Sequence, residues 1–516
     1  MILGRFPDST RDTVPAMDPR LRAVCDMFLA ELREGSGLHE YDGQIQDLSP
    51  DGVRSGIARL GGEPLADSHD EAHLAAFEAH TRLVYGELEL HRRLPTVHHA
   101  NFDLSCYDRA YAPEAERAAA KRAHLARWPE AADIALHALD EVSAPVAKSL
   151  LGAFRGLSAG LDPDDELASR ALDAHGRLMA HIEDAAEHGA PEAALGADAL
   201  AKLMGTIEAM PVDLGKLAEQ ADAERDRLMA MLREACAKVD ADADPRDVVQ
   251  RLVSQHPDAS GILAQAQAQV EEVLAFTREH QLAPYTDGEC LVASAPESRR
   301  WAMAMMAWAA PEEEDAPSFY WVTPPDPSWP ADEVEQWLQV FSDATLPAIT
   351  LHEVSPGHFA HSRALRRAAT PVRRVLMSPS FTEGWAHYIE ELSLELGFRG
   401  GDPAFTVGVA IEALVRVTRL ASAIGVHTGA MTVEDAAARF QQDAFLGGSA
   451  ALSEARRSTF DPTYGRYTWG KLAIRDAAAA ARQRWGTDFS TPRFHTALLD
   501  LGAPPLGLIG TAVERG

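Results

Sequence analysis

Apolar residues recur at helical spacing along the first half of the chain. The stretch DEAHLAAFEAHTRLVYGELELHRRL places its apolar residues near one helix face and its charged residues on the others. Similar stretches are AEQADAERDRLMAMLREACAKV and ILAQAQAQVEEVLAFTREH, and Pro or Gly clusters such as GLDPDDE and MPVDLG interrupt the pattern. The pattern predicts an N-terminal helical lobe over residues 18–285, preceded by a disordered tail over residues 1–17.

The pattern changes after residue 285. The stretches GECLVAS, AMAMMAWA and SFYWVTP are short and rich in apolar and aromatic residues, and they predict a small sheet of about three strands. Helical patterns then resume in LPAITLHEVSPGHFAHSRAL, FTEGWAHYIEELSLELG and YTWGKLAIRDAAAAARQRW. We therefore predict a mainly α protein with a second lobe over residues 286–516, and the two lobes could also form one continuous domain.

Composition and charge narrow the partners. With 516 residues, 46% of them hydrophobic and 24% charged, the chain is expected to form a large globular core. The formal net charge of -30 predicts that neither nucleic acid nor an anionic membrane is a partner, because both would be repelled. The sequence leaves the oligomeric state open.

Cysteine usage and the N-terminus predict a location. The four cysteines lie far apart without a Cys-x-x-Cys pair, which favours buried free thiols in a reducing compartment. The first residues lack the apolar core of a signal peptide, and no stretch reaches the ~20 apolar residues of a membrane span. Together these features predict a cytoplasmic protein. The cysteines are Cys25, Cys106, Cys236 and Cys290.

The candidate chemistry begins in HEVSPGH, residues 352–358. A spacing of six residues corresponds to about 240° and ~9 Å on a straight helix, so His352 and His358 could not share a metal ion there. Pro356 removes a helical hydrogen bond and Gly357 permits unusual dihedral angles. We therefore predict a local bulge that swings His358 back towards His352.

A third candidate ligand follows His358 in FTEGWAHYIEEL, where Glu383 is expected to open the next helix. Catalytic zinc takes three protein ligands and keeps one position open, so this set predicts one Zn²⁺ per chain. Glu353 adjoins a ligand histidine but points elsewhere, which makes it the candidate general base. The alternatives are a polar helix end for the motif and, for Glu383, an exposed first-turn residue stabilised by the helix dipole.

Three further polar residues flank this set. His361 competes with His358 as a ligand, although His361 and His387 are more typical of residues that line a cleft or support the ligands. Glu390 lies seven residues after Glu383, on nearly the same helix face. It is expected either to orient a ligand histidine or to form an ordinary salt bridge.

The last constellation lies in YGRYTWGKLAIRD. Tyr467, Lys471 and Arg475 recur every four residues and form a polar stripe on an otherwise apolar helix. The stripe is either a solvated face or functional, with the Tyr467 hydroxyl at a developing oxyanion and Arg475 near a substrate carboxylate or a buried acidic partner. Tyr464, three residues earlier, is the second candidate tyrosine.

These motifs carry a resemblance. HEVSPGH, followed by EGWAHYIEE and then YGRYTWGKLAIRD, resembles the domain of unknown function 885 family, whose members are zincin-like metallopeptidases of largely helical fold. The resemblance is specific over residues 346–475. Family members often have His-His-Leu-Gln at residues 358–361 and Leu at position 387, and these departures bear on substrate preference. The residues implied are His352, His358 and Glu383 as metal ligands and Glu353 as the catalytic base.

The expected function is zinc-dependent hydrolysis of short peptides, in a zincin-like helical fold with a small sheet beside the active-site helix. The second lobe, residues 286–516, would be the catalytic one. One alternative is a non-catalytic peptide-binding protein of the same fold. The other is a helical di-iron or di-manganese protein, for which Glu87 with His91 and Asp184 with His188 are four residues apart instead of the usual three.

Overall fold

Helices dominate the structure, as the hydrophobic pattern predicts. The computed structural model describes residues 17–300, 302–313 and 316–516. Of the predicted tail, only Met17 lies within the described residues, where it packs against the helices that follow. None of the described helices combines the length and the apolar composition that crossing a bilayer requires.

The α-helices up to residue 280 are α1 (Pro19–Cys25), α2 (Leu29–Gly35), α3 (Pro50–Ala58), α4 (Ser68–Thr81), α5 (Leu90–Arg93), α6 (Thr96–His99), α7 (Glu114–Leu125), α8 (Trp128–Ala138), α9 (Ala144–Gly156), α10 (Glu166–His188), α11 (Ala197–Ile207), α12 (Leu214–Val239), α13 (Pro245–Val253) and α14 (Ile262–His280). A π-helical segment, Arg82–Glu87, extends α4, and short 3-10 turns lie at His39–Tyr41 and Ser105–Asp108.

The later α-helices are α15 (Ala331–Gln339), α16 (Leu346–Glu353), α17 (His358–Leu365), α18 (Pro371–Val375), α19 (Pro379–Glu395), α20 (Pro403–His427), α21 (Val433–Asp443), α22 (Gly448–Phe460), α23 (Arg466–Trp485), α24 (Thr491–Leu499) and α25 (Gly510–Arg515). Further 3-10 turns lie at Glu297–Arg299, Gly486–Asp488 and Leu506–Leu508.

The predicted small sheet is present. Its strands are β1 (Cys290–Ser294), β2 (Ala304–Ala307) and β3 (Ser318–Val322), in the order β1-β3-β2. β3 pairs in parallel with β1 and antiparallel with β2, which leaves β2 at one edge. β2 contacts α16, so the sheet lies beside the helix that carries His352, as expected.

Long helices from both halves of the chain share one hydrophobic core. α12 packs along α20, α16 packs against α19 and α20, and α19 packs along α23. Buried leucines of α12, such as Leu228, belong to the same apolar cluster as those of α20, such as Leu414. The division into two lobes at residue 285 stays a prediction, but α16, α19, α20 and α23 form the unit that surrounds the candidate site.

Two glycines allow α19 and α23 to approach closely. A Cβ atom on Gly384 would lie 2.4 Å from the Cα atom of Gly470, and one on Gly470 would lie 1.9 Å from the carbonyl oxygen of Ser380. Real side chains do not tolerate such distances, so any larger residue would force the helices apart. The glycines of the EGWAHYIEE and YGRYTWGKLAIRD motifs are therefore explained by one contact.

Candidate metal centre

The HEVSPGH motif lies on two helices. α16 ends at Glu353, residues 354–357 form a turn, and α17 begins at His358. The predicted bulge within a single helix is therefore wrong, because Pro356 and Gly357 stop one helix and start another. A Cβ atom on Gly357 would lie 1.8 Å from the carbonyl oxygen of His352, so only glycine fits this turn.

The turn brings His358 back towards His352, which is the effect that the bulge was expected to have. The ring centroids of His352 and His358 lie 4.8 Å apart, with the rings nearly perpendicular at 87°. Two backbone hydrogen bonds span the turn, from the N–H of Gly357 to the carbonyl of Leu351 (3.2 Å) and from the N–H of Ala360 to that of Val354 (3.1 Å). Both histidines are buried.

Glu383 completes the group from the neighbouring helix. Its Oε2 atom lies 3.4 Å from Nε2 of His352 and 3.5 Å from Nε2 of His358. The prediction that Glu383 opens α19 is wrong. The helix already begins at Pro379, with Ser378 as its N-cap, so Glu383 lies in the second turn. Although burial opposes its charge, the two histidines hold the pKa of the Glu383 carboxyl well below its usual range.

The donor set fits a catalytic zinc ion. One ligand atom from each of His352, His358 and Glu383 lies within 4.8 Å of the others, and no other group of three candidate ligands exists among the residues that the structure describes. Ligand atoms about 2.1 Å from a tetrahedral ion are about 3.4 Å apart, which matches both carboxylate–imidazole distances. Within the described residues, Oε2 of Glu383 is buried without a hydrogen bond, which is expected of an atom that binds a metal ion.

Glu390 supports His352 from behind. Its Oε1 atom lies 2.6 Å from Nδ1 of His352, and its Oε2 atom accepts a hydrogen bond of 3.0 Å from Nη1 of Arg416. Burial opposes a negative charge here, yet Arg416, His387 and His352 hold the pKa of Glu390 below its ordinary value. Burial also lowers the pKa of His352, but Glu383 and Glu390 together raise it to about 9. The two roles expected from the sequence were orientation of a ligand histidine and an ordinary salt bridge. Glu390 contacts His352 and also pairs with Arg416, so it makes both contacts.

Glu353 points away from the three ligand atoms. It is the last residue of α16, and its Oε2 atom accepts a hydrogen bond of 2.7 Å from the backbone N–H of Met306 in β2. The side chain is half-buried. A carboxylate in this position can exchange protons with a water molecule or with a substrate held along β2.

The two additional histidines have different surroundings. His361 is fully buried, and its Nε2 atom lies 3.2 Å from the carbonyl oxygen of Gly502, so it does not join the group of three. His387 lies one turn after Glu383, with Nδ1 3.4 Å from Glu390. Burial lowers the pKa of both rings to about 4, and Lys471 contributes to the shift at His387. Both are neutral near pH 7.

Of the two candidate tyrosines, only Tyr467 faces the site. Its ring stacks on that of His352, with centroids 6.3 Å apart and planes at 26°. Burial and the nearby Glu383 carboxylate raise the pKa of Tyr467, so its hydroxyl stays protonated. The hydroxyl of Tyr464 instead donates to the backbone carbonyl of Glu454, at 3.1 Å, so this tyrosine lies outside the site.

Lys471 and Arg475 have a structural role in the folded chain. Lys471 is fully buried and donates to Glu224 and, at 3.2 Å, to Glu391. Arg475 donates to Glu391 at 2.8 Å. The polar stripe on α23 is therefore not a solvated face, and Arg475 has the buried acidic partner that was one of its two expected roles.

The sequence reasoning missed two residues that contact the site. Arg416 pairs with Glu390, and the only signal for it was a charged residue within the apolar stretch IEALVRVTRLAS. Trp308 follows β2, and its ring centroid lies 5.9 Å from that of His358. Pairing with distant residues is not visible in helical spacing, so neither contact could be deduced from the pattern.

The pairs considered for a di-metal site do not come together. Asp184 and His188 contact each other on the exposed surface of α10, at 3.1 Å. Glu87 forms an ion pair with Lys202 at 2.6 Å. Within the described part of the chain, neither pair belongs to a group of three or more candidate ligands.

Comparison with known proteins places the chain in a family. Residues 31–513 match the family described as "Bacterial protein of unknown function (DUF885)". The chain belongs to this family. A search of curated proteins finds no match to this DUF885 protein.

Two solved structures share the mainly helical fold of this DUF885 protein. One is a "putative lipoprotein of unknown function" from Shewanella oneidensis, 18% identical, with a TM-score of 0.76 over 95% of this chain and 96% of that one. The other is a "putative lipoprotein" from Colwellia psychrerythraea, 18% identical, with a TM-score of 0.77 over 96% of this chain and 97% of that one. At this identity the likeness shows the fold alone.

These names contradict the predicted cytoplasmic location. Lipoproteins are membrane-anchored or secreted, and both proteins of this fold carry that name. The prediction depended in part on the cysteines, all four of which are free, three of them buried. A buried thiol is shielded from oxidants in any compartment, so cysteine usage was a poor guide to location.

Proposed function

We propose that this DUF885 protein is a zincin-like zinc metallopeptidase that hydrolyses short peptides. The observation that carries the proposal is the close approach of His352, His358 and Glu383. Oε2 of Glu383 lies 3.4 Å from Nε2 of His352 and 3.5 Å from Nε2 of His358. Two imidazoles and one carboxylate are a common ligand set of catalytic zinc, and they leave a position open for substrate or water.

The three residues would hold the ion, and Glu390 would fix the ring of His352 so that Nε2 faces it. When bound, zinc polarises a carbonyl group and lowers the pKa of a water molecule. The low pKa of Glu383 keeps its carboxylate charged and ready to bind a cation. The raised pKa of His352 means that a proton must leave this ring before the ion binds.

The chain's own residues would carry the proton transfers. Glu353 would accept a proton from the attacking water, whose oxygen bonds to the peptide carbon, and would deliver it to the nitrogen as the C–N bond breaks. The Tyr467 hydroxyl would donate to the carbonyl oxygen as negative charge develops there. β2 is an edge strand, so an extended substrate can align beside it.

The test combines metal content with peptide cleavage. We expect about one zinc ion per purified chain, and loss of most of it in His358→Ala, whereas His361→Ala keeps its zinc because that ring contacts Gly502. Glu353→Gln is expected to keep the metal and to lose hydrolysis of a mixed peptide library by ~10²–10⁴-fold.

Other results would point to the alternatives. Zinc and peptide binding without cleavage by the wild type would identify a non-catalytic peptide-binding protein. Two irons or manganese ions per chain would indicate the di-metal alternative. Full zinc occupancy in His358→Ala would refute the proposed ligand set.

A further inference from the structure

A cleft of about 260 Å³ adjoins the outer side of β2. One wall comes from α2, with Glu31 and Glu34, and the other from the end of the edge strand, with Met306, Ala307 and Trp308; Arg109 also lines it. The Trp308 indole N–H donates to the carbonyl of Gly35, at 3.0 Å, and thereby ties the strand to α2.

The cleft shares two residues with the candidate metal centre. Met306 lines it and also donates its backbone N–H to Glu353, at 2.7 Å. Trp308 lines it and also contacts His358, with ring centroids 5.9 Å apart. A peptide whose scissile bond lies between Glu353 and the metal ligands therefore has a neighbouring residue within reach of this cleft.

The charges that line the cleft do not cancel. Arg109 is 4% exposed and is paired with Glu313, and it also donates to the carbonyls of Glu34 and Trp308. The Glu34 carboxylate is paired with Arg299. Glu31 is exposed and has no ion-pair partner among the described residues, and desolvation raises the pKa of its carboxyl. One uncompensated carboxylate therefore remains at the cleft.

We propose that Glu31 binds a cationic group of the substrate, so that the preferred peptides carry a positive charge beside the scissile bond. This inference rests on the proposed function, because it assigns a substrate class to the same site. The cation is either a free α-ammonium group or the side chain of Lys or Arg. Either one would pair with the carboxylate and would also be favoured beside the aromatic ring of Trp308.

The experiment uses the zinc-loaded protein and a peptide series with Lys, Ala or Glu on either side of the cleaved bond. Each peptide is prepared with a free and with an acetylated N-terminus. We expect kcat/KM to be roughly 10-fold higher for the cationic peptides, the scale of one charged hydrogen bond. Loss of the preference on acetylation would identify the α-ammonium group as the cation, and its retention with Lys would identify the side chain.

Two substitutions assign the preference to Glu31. Glu31→Gln is expected to lower kcat/KM for the cationic peptides to the value for uncharged peptides, and Glu31→Lys is expected to favour Glu-containing peptides. The matched control is Glu187→Gln, an exposed carboxylate on α10. The inference would be overturned if the wild type cleaved the acetylated Ala peptide as fast as both the acetylated Lys peptide and the Ala peptide with a free N-terminus, or if Glu31→Gln kept the preference.

A binding measurement separates this inference from the proposed function. The same Lys and Ala peptides are titrated calorimetrically into Glu353→Gln and into the double variant Glu31→Gln/Glu353→Gln. Tighter binding of a cationic peptide than of the acetylated Ala peptide, if it depends on Glu31, supports the cleft even if the wild type cleaves nothing, a result that would refute only the peptidase. Equal affinities for the acetylated Ala peptide, the acetylated Lys peptide and the Ala peptide with a free N-terminus would refute the cleft whether or not cleavage occurs.

Discussion

The Nδ1 atom of His352 lies 2.6 Å from Oε1 of Glu390, a carboxylate without any solvent exposure. This contact leaves Nε2 of the ring facing Glu383. A carboxylate behind a ligand histidine fixes the orientation of the ring and increases its basicity. Arg416 compensates the buried charge of Glu390. The orientation of His352 on α16 therefore depends on residues of α19 and α20 as well.

Glu390→Gln is therefore expected to weaken zinc binding by about 10–100-fold, because the amide orients His352 less firmly and removes the charge behind it. Competition with a chromophoric chelator measures the affinity, and circular dichroism checks that the variant is folded. The control is Glu395→Gln, on the same helix, whose carboxylate is half-exposed and bonded to Arg475. Wild-type zinc affinity in Glu390→Gln would contradict a role in positioning the ligand.

The glycine contact between α19 and α23 gives a stability prediction. Gly470→Ala puts a methyl group where the carbonyl of Ser380 lies, so we expect the free energy of unfolding to fall by roughly 1–3 kcal/mol. The control is Gly176→Ala in α10, where no atom lies within 4 Å of the new methyl group. This control is expected to be stabilising by about 0.5–1 kcal/mol, since alanine favours helices. Urea unfolding measures the free energy of unfolding of both variants. Similar changes in Gly470→Ala and Gly176→Ala would refute the close approach of α19 and α23.

The buried Glu391 gives a pH prediction. Burial opposes its charge, but Lys471, Arg227 and Arg475 lower its pKa to about 2. A carboxyl whose folded-state pKa lies below its unfolded value stabilises the fold above about pH 4.5, and this stabilisation is lost as the pH falls towards 2. Glu391→Gln should therefore cost about 3 kcal/mol at pH 7.

The cost of Glu391→Gln should decrease as the pH falls from about 5 to 3, since the wild-type carboxylate then loses its charge. Denaturant unfolding of both proteins over this range measures the difference. Glu183→Gln, which breaks the exposed pair with Arg155, is the control and should change stability by less than about 1 kcal/mol at every pH. A difference that stays constant between pH 7 and 3 would show that the ion-pair network around Glu391 is not the cause.

The sequence allowed a good prediction of the local features around the site. The three-strand sheet was visible as short aromatic stretches bounded by turns, and the approach of His352 and His358 was predictable because both flank a Pro-Gly break. Such features depend on neighbouring residues along the chain. The form of the break was wrong, because the choice between a bulge and a turn depends on how α17 packs against the rest of the fold.

Features that depend on distant pairing could not be predicted. The stripe of Lys471 and Arg475 has the same helical spacing whether its partner is solvent or a buried carboxylate, and the partner Glu224 lies 247 residues from Lys471. Likewise, Tyr464 and Tyr467 are both plausible from a helix phase alone. Only their contacts distinguish the two tyrosines. The Tyr464 hydroxyl donates to the backbone carbonyl of Glu454, whereas the Tyr467 ring stacks on His352.

This difference between the tyrosines gives the last prediction. When water attacks a peptide carbonyl, negative charge grows on its oxygen, and a fixed neutral donor stabilises that charge more than it stabilises the bound substrate. Tyr467→Phe is therefore expected to lower kcat by roughly 10–10³-fold, with KM and zinc content little changed. Tyr464→Phe should leave kcat unaltered and cost only about 1 kcal/mol of stability, for its bond to the carbonyl of Glu454. Steady-state kinetics with zinc analysis decides: a wild-type kcat in Tyr467→Phe would exclude its hydroxyl as the oxyanion donor and leave His387, whose buried Nε2 has no partner among the described residues, as the next candidate.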